Sequence, residues 1–204
     1  MKKLILATCA LTCAAGVFAQ GTVIFNNRLT GTIVTHVYGP EPSDPTIAIQ
    51  GNTSLDSVPG STVYNGTLLA GTGFTAQLWA ANGASQPVSS LLAASPTTTF
   101  RTGAAAGFIN TTTATLAGVP LDAPVATIVM RVWDNAGGTI LDYASATTKG
   151  ESLPFNLSAI GGQANPAPGL VGLTSFNIHG IPEPSTFALA GLGAAALLIF
   201  RRRK

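Results

Sequence analysis

Residues 123–138 read APVATIVMRVWDNAGG, and their side chains sort by a period of two. Val125, Thr127, Val129, Arg131 and Trp133 fall on one side of an extended chain; Ala126, Ile128, Met130 and Val132 fall on the other. Branched apolar residues on both sides predict a central strand covered on both faces for part of its length. Asp134 to Gly138 supplies the residues that a reversing loop needs, and TILDYAS, residues 139–145, is the expected hairpin partner. A second alternation sets Phe74, Ala76, Leu78 and Ala80 against Thr75, Gln77 and Trp79, and predicts a strand from Phe74 to about Ala81. Strands are also expected at 21–27 (GTVIFNN), 31–39 (GTIVTHVYG) and 173–180 (LTSFNIHG). Residues 40–60 contain four prolines and read as an irregular loop, with one edge strand at Thr46 to Ile49.

No long apolar face of period 3.6 occurs between residues 20 and 180, while Gly and Pro punctuate the chain every few residues. The expected fold class is all-β, a β-sandwich or jelly-roll of roughly eight to ten strands. A β-solenoid is the competing architecture, but no fixed repeat supports it.

The two ends are built differently. Lys2 and Lys3 precede an apolar run from Leu4 to Val17, and Val17-Phe18-Ala19 has the small-residue spacing of a cleavage site. Residues 1–19 therefore read as a secretory signal peptide, with cleavage expected between Ala19 and Gln20. Both cysteines of the chain, Cys9 and Cys13, leave with it. The exported domain, residues 20–180, then has no disulfide framework, thiolate metal site or cysteine nucleophile.

Charge follows the same division. Between Gln20 and Gly180 the cations are Arg28, Arg101, Arg131 and Lys149. They face Glu41, Asp44, Asp56, Asp122, Asp134, Asp142 and Glu151, so this region is net negative although the whole chain carries +2. Without a basic face to neutralise phosphates, nucleic acid is excluded as a partner.

At the C-terminus, Pro182-Glu183-Pro184 runs into an apolar segment at about 186–200, and Arg201, Arg202, Arg203 and Lys204 close the chain. As a helix the apolar part from Phe187 covers about 21 Å, short of a hydrocarbon core of roughly 30 Å, so it suits a marginal transmembrane helix. The terminal cations belong on the cytoplasmic side, which leaves the domain outside, in agreement with the N-terminal signal. Prolines flanking a carboxylate hold an extended segment that a membrane-embedded protease can read.

Residues 181–204, with the PEP motif at 182–184, the apolar helix at 186–200 and the basic tail at 201–204, closely resemble the PEP-CTERM sorting signal. The resemblance implies that an exosortase-type membrane protease recognises the motif and processes the tail. It further implies transient anchoring in the inner membrane of a Gram-negative-type bacterium, then residence at the cell surface or in the extracellular matrix. Exopolysaccharide is an implied partner. A second Pro-Glu-Pro, at Pro40-Glu41-Pro42, lacks the apolar and basic parts and reads as a loop.

No catalytic, metal or cofactor site is expected. His36 and His179 are the only histidines and read as polar surface residues. Asp134, Asn135 and Gly137 read as a turn, since calcium loops draw on several carboxylates. Trp79, Trp133, Tyr38, Tyr64 and Tyr143 read as core, with stacking of Trp79 and Trp133 on a carbohydrate as the alternative. A surface hydrolase, the least favoured class, would need two carboxylates across one cleft. Asn52, Asn65, Asn110 and Asn156 each begin an N-x-S/T triplet, which chance explains in so Ser/Thr-rich a chain.

Overall fold

The computed structural model describes residues 19–181. The signal segment before Ala19, the motif Pro182–Pro184, the apolar segment and the basic tail lie outside the described residues. The fold is mostly β, and its helical turns are all single 3₁₀ turns among the described residues.

Its centre is β5 (Phe74–Asn82) paired antiparallel with β9 (Val125–Asp134) along their whole length, from Phe74 opposite Asp134 to Asn82 opposite Ala126. Both are the strands that alternation predicts. The free edge of β9 is shared by β10 (Thr148–Glu151), opposite Arg131 to Trp133, and β11 (Phe155–Ser158), opposite Val125 to Ile128. The free edge of β5 is likewise shared by β6 (Leu92–Ala93) and β7 (Thr98–Thr99). β13 (His179–Gly180) pairs with β10 and completes a seven-stranded sheet with outer edges at β13 and β6.

A separate ribbon joins β1 (Gln20–Phe25) to β8 (Thr112–Pro120), with a register shift between Gln20 and Thr22. Val23 and Phe25 of β1, and Ala114 and Leu116 of β8, are fully buried against Ala76, Leu78 and Ala80 of β5 and Ile128, Met130 and Val132 of β9. The ribbon thus covers one face of the large sheet. Small pieces finish the fold: β2 (Arg28–Leu29) with β3 (Ile33–Val34), and β4 (Val37–Tyr38) parallel to β12 (Phe176–Asn177).

Val129 and Trp133 are fully buried although they point away from the ribbon, so β9 is covered on both faces as its sequence predicts. Three expectations change. First, TILDYAS is not the return strand; β10 is. Asn135 turns back to β5, donating from Nδ2 to the Thr72 carbonyl and to Thr75 Oγ1, and the Trp133 indole N–H takes the Ile140 carbonyl. Residues 139–145 are thereby spent as a cover over Trp133 and pair with no strand.

Second, Thr46 to Ile49 form no edge strand. The Asn177 side chain stands in for a ladder partner: its Oδ1 accepts from the Ile49 N–H and its Nδ2 donates to the Ile47 carbonyl. Third, 31–39 and 173–180 each split into two short strands, because successive residues serve different partners. Val37 and Tyr38 lie opposite Phe176 and Asn177, whereas His179 and Gly180 have crossed to β10. Thirteen strands replace the expected eight to ten among the described residues.

Candidate functional site

Gln20 is the first residue of β1, and the carbonyl of Ala19 accepts the Leu121 N–H, so the expected cleavage position borders the first strand directly. The other end is as closely trimmed. At the end of β13 the Gly180 N–H donates to the Pro45 carbonyl, and just beyond it the Ile181 N–H donates to the Thr147 carbonyl, each at 2.8 Å. Pro182, the first residue of the sorting motif, follows with no spacer.

The internal Pro-Glu-Pro has a different environment. Glu41 is only 3% exposed, and its carboxylate accepts from the N–H and Nδ2 of Asn65 and from the Gly66 N–H. Burial pushes the carboxyl pKa up, but these hydrogen bonds outweigh it and hold the group below its ordinary value. The glutamate of the internal triplet is committed to the fold.

Trp79 and Trp133 lie on the same face of the sheet but meet different surroundings. Trp133 has no exposed surface, so its ring offers no face to a sugar and belongs to the core. Trp79 is partly exposed, and one side of its indole carries the Arg131 guanidinium, 4.2 Å from the ring centroid. Arg131 also stacks on Tyr143 at 4.9 Å and pairs through Nε with Glu151 at 2.8 Å. Burial, with a smaller contribution from the Glu151 charge, pushes the Tyr143 phenol up to about 12, so it stays neutral at ordinary pH.

His36 is not a surface residue. Its Nδ1 lies 3.0 Å from Oδ1 of Asp56, whose side chain is completely buried. The other carboxylate oxygen accepts from Ser175 Oγ and the Thr53 N–H, while Ser175 Oγ accepts from the His36 N–H. The Ser175 hydroxyl proton points at Asp56 and not at the imidazole, so the three residues do not form a nucleophile activated by a histidine base. They pin the 53–57 loop onto the residues that immediately precede β4 and β12. Sequence reasoning missed Asp56, because its side-chain partners His36 and Ser175 lie 20 and 119 residues away.

Beside this cluster the rings of Tyr38 and Tyr64 stack at 4.2 Å, within 4° of parallel. With Thr53, Ser54, Leu55, Thr62 and Val63 they line a cleft of about 220 Å³ that contains no charged side chain. The Tyr64 hydroxyl is fixed against the carbonyls of Gly51 and Ser175. Burial raises the pKa of both phenols, and the Asp56 charge adds to the effect. The cleft is neutral, part aromatic and part hydroxyl.

Asp134 accepts the Ala136 N–H and Asn135 Oδ1 accepts the Gly138 N–H, with Gly137 at φ +71°, as the turn expectation requires. Among the described residues, no three His, Cys, Asp or Glu side chains are grouped to hold a metal ion. No helix among them is long and apolar enough to cross a membrane. Asn52, Asn65, Asn110 and Asn156 all use their amide nitrogens in hydrogen bonds within the fold, which a glycan on that atom would disrupt.

The described domain ends directly against the terminal motif. Residues 180–204 match the family model of the PEP-CTERM protein-sorting motif, so the chain carries that sorting signal at its C-terminal end. The motif marks an exported protein directed to an exosortase, a membrane protease. No curated protein and no solved structure matches the chain.

Proposed function

We propose that this protein is a non-enzymatic structural component of the cell surface or extracellular matrix. The domain of residues 20–180, a two-layer β-sandwich, is the cargo, and Pro182–Lys204 is the address removed on delivery. The observation that carries this reading is the sorting motif at 180–204, joined directly to the last strand. Replacing Pro182, Glu183 and Pro184 together by Ala in the native host tests it. The tail is then retained and the protein stays in the inner membrane fraction. Unchanged intact mass and unchanged fractionation would sink the sorting half of the proposal.

The alternative function, carbohydrate binding, draws support from a different place than the tryptophans. The Tyr38–Tyr64 cleft offers an aromatic surface next to the hydroxyls of Thr53, Ser54 and Thr62, a combination suited to a neutral sugar. Affinity electrophoresis of the wild type and Thr62→Val in gels containing the host's exopolysaccharide checks this reading. Retardation of the wild type that Thr62→Val diminishes supports binding at the cleft. A wild type that migrates as it does without polysaccharide removes it.

A further inference from the structure

We propose that the β13 edge of the large sheet is the surface by which the unprocessed protein faces the phospholipid bilayer. This rests on the reading of residues 186–200 as a membrane segment. The domain is hydrogen-bonded up to Ile181, through Gly180 to Pro45 and Ile181 to Thr147. Six residue steps lead from there to Phe187, where the uninterrupted apolar run starts. Fully extended, they span at most about 21 Å. The headgroup layer takes about 5 to 7 Å of that. Ile181 therefore rises no more than about 15 Å above the headgroups, whereas a domain of this length is on the order of 40 Å across. The domain cannot turn its far side to the bilayer.

The edge that must approach is also suited to it. Ile181 and Ile47 are 43% and 44% exposed, and Ile47 lies two residues beyond Pro45, the partner of Gly180. The 139–147 segment ends at Thr147, the partner of Ile181, and carries Leu141 with 81% of its surface exposed. The Lys149 ammonium is turned inward onto the carbonyls of Tyr143 and Ala144, and Asp44 and Asp142 are each closed into their own turns by Thr46 and Ser145. The edge presents apolar side chains with no cluster of free cations, so the covalent tether holds it at the interface, without attraction to anionic lipid. Leu92 on β6, 52% exposed, marks the opposite edge of the sheet. Four strand spacings separate the two edges, about 19 Å.

The chain after leader removal has no cysteine, so single introduced thiols report position cleanly. The full chain is expressed in an exporting host without exosortase, as Ile47→Cys, Leu141→Cys or Leu92→Cys. The membrane-retained protein is labelled with a bimane and reconstituted into phosphatidylcholine vesicles containing a headgroup-nitroxide lipid. Labels at 47 and 141 are quenched at least about twofold more than the label at 92, given the separation of the edges. Equal quenching at all three positions, or stronger quenching at 92, overturns the proposal while leaving the sorting function intact. Protein that fails to float with the vesicles overturns the membrane reading of residues 186–200, and this proposal with it. Replacing a fifth of the phosphatidylcholine by phosphatidylglycerol leaves the pattern unchanged; an added gain at 47 and 141 would overturn the claim that the tether alone sets the contact.

Discussion

The Arg131 guanidinium sits 4.2 Å from the centre of the Trp79 ring, and this contact joins the middles of the two longest-paired strands across the face away from the ribbon. Arg131 also meets Tyr143 and Glu151, so one planar cation is stacked on two rings and paired with one carboxylate. Lysine cannot reproduce this, because a point charge on a flexible stem neither stacks flat nor keeps the Nε bond. Arg131→Lys is expected to lower stability by about 1 to 2 kcal/mol, read as a shift in urea midpoint with an unchanged slope. The contact also occupies one face of Trp79, and Trp79→Ala would injure the fold before it informed on sugar binding.

Asp56 leads to a larger expected effect. Its buried carboxylate serves Ser175, the Thr53 backbone and His36, and joins a loop to residues far away in sequence. Asp56→Ala leaves those donors without their acceptor and is expected to cost about 2 to 4 kcal/mol by denaturant unfolding. Ser175→Ala removes one hydroxyl from the same cluster and should cost less. If the two substitutions cost the same, the carboxylate is not the centre of the cluster.

Leu116 tests how much of the core the alternation conceals. It lies fully buried in β8, the strand that covers the large sheet, and Leu116→Ala should cost about 2 to 5 kcal/mol in the same measurement. The segment TTATLAGVP gives little warning of this. Its inward residues Ala114 and Leu116 are followed by Gly118 at φ +74° and then by inward Val119, so the period of two breaks within the strand. β5 and β9 were legible because each keeps one register along a single long partner. β10 and β11 were not, since four-residue strands carry too few alternations to stand out, and in Thr148–Glu151 the only buried residue is a glycine. That glycine has a reason of its own: a Cβ on Gly150 would collide with the Asn177 carbonyl.

The site divides along the same line. The terminal motif was legible because its chemistry is local: a Pro-Glu-Pro triplet, an apolar run and a cationic end in fixed order. The His36–Asp56–Ser175 cluster and the Tyr38–Tyr64 stack depend on a parallel pairing of β4 with β12 across most of the chain, which no local pattern encodes. The same holds for the burial of Glu41, whose triplet looks identical to the terminal one until Asn65 and Gly66 close over it.

His179 and Glu41, the more buried of the groups with shifted pKa values that titrate below neutral pH, shape the expected response to acid. Burial lowers the His179 pKa below the ordinary 6.5, only partly offset by the Glu151 charge, and its Nδ1 has no hydrogen-bond partner among the described residues. The unfolded chain therefore binds a proton there at a pH where the folded chain does not, and stability begins to fall as the pH drops through about 6.5. Glu41 acts lower on the scale. Its folded pKa lies below the ordinary 4.5, so its contribution is whole above that value and is lost as the pH falls through the folded pKa. Urea midpoints should decline in two stages, a shallow one that begins as the pH drops through about 6.5 and a second below about pH 4.5. His179→Asn flattens the first stage and leaves the second, and Glu41→Gln lowers the plateau at neutral pH and reduces the second without abolishing it, because hydrogen bonds also hold Asp44, Asp122 and Asp142 below their ordinary values. A first stage that survives in His179→Asn would assign the slope to another group.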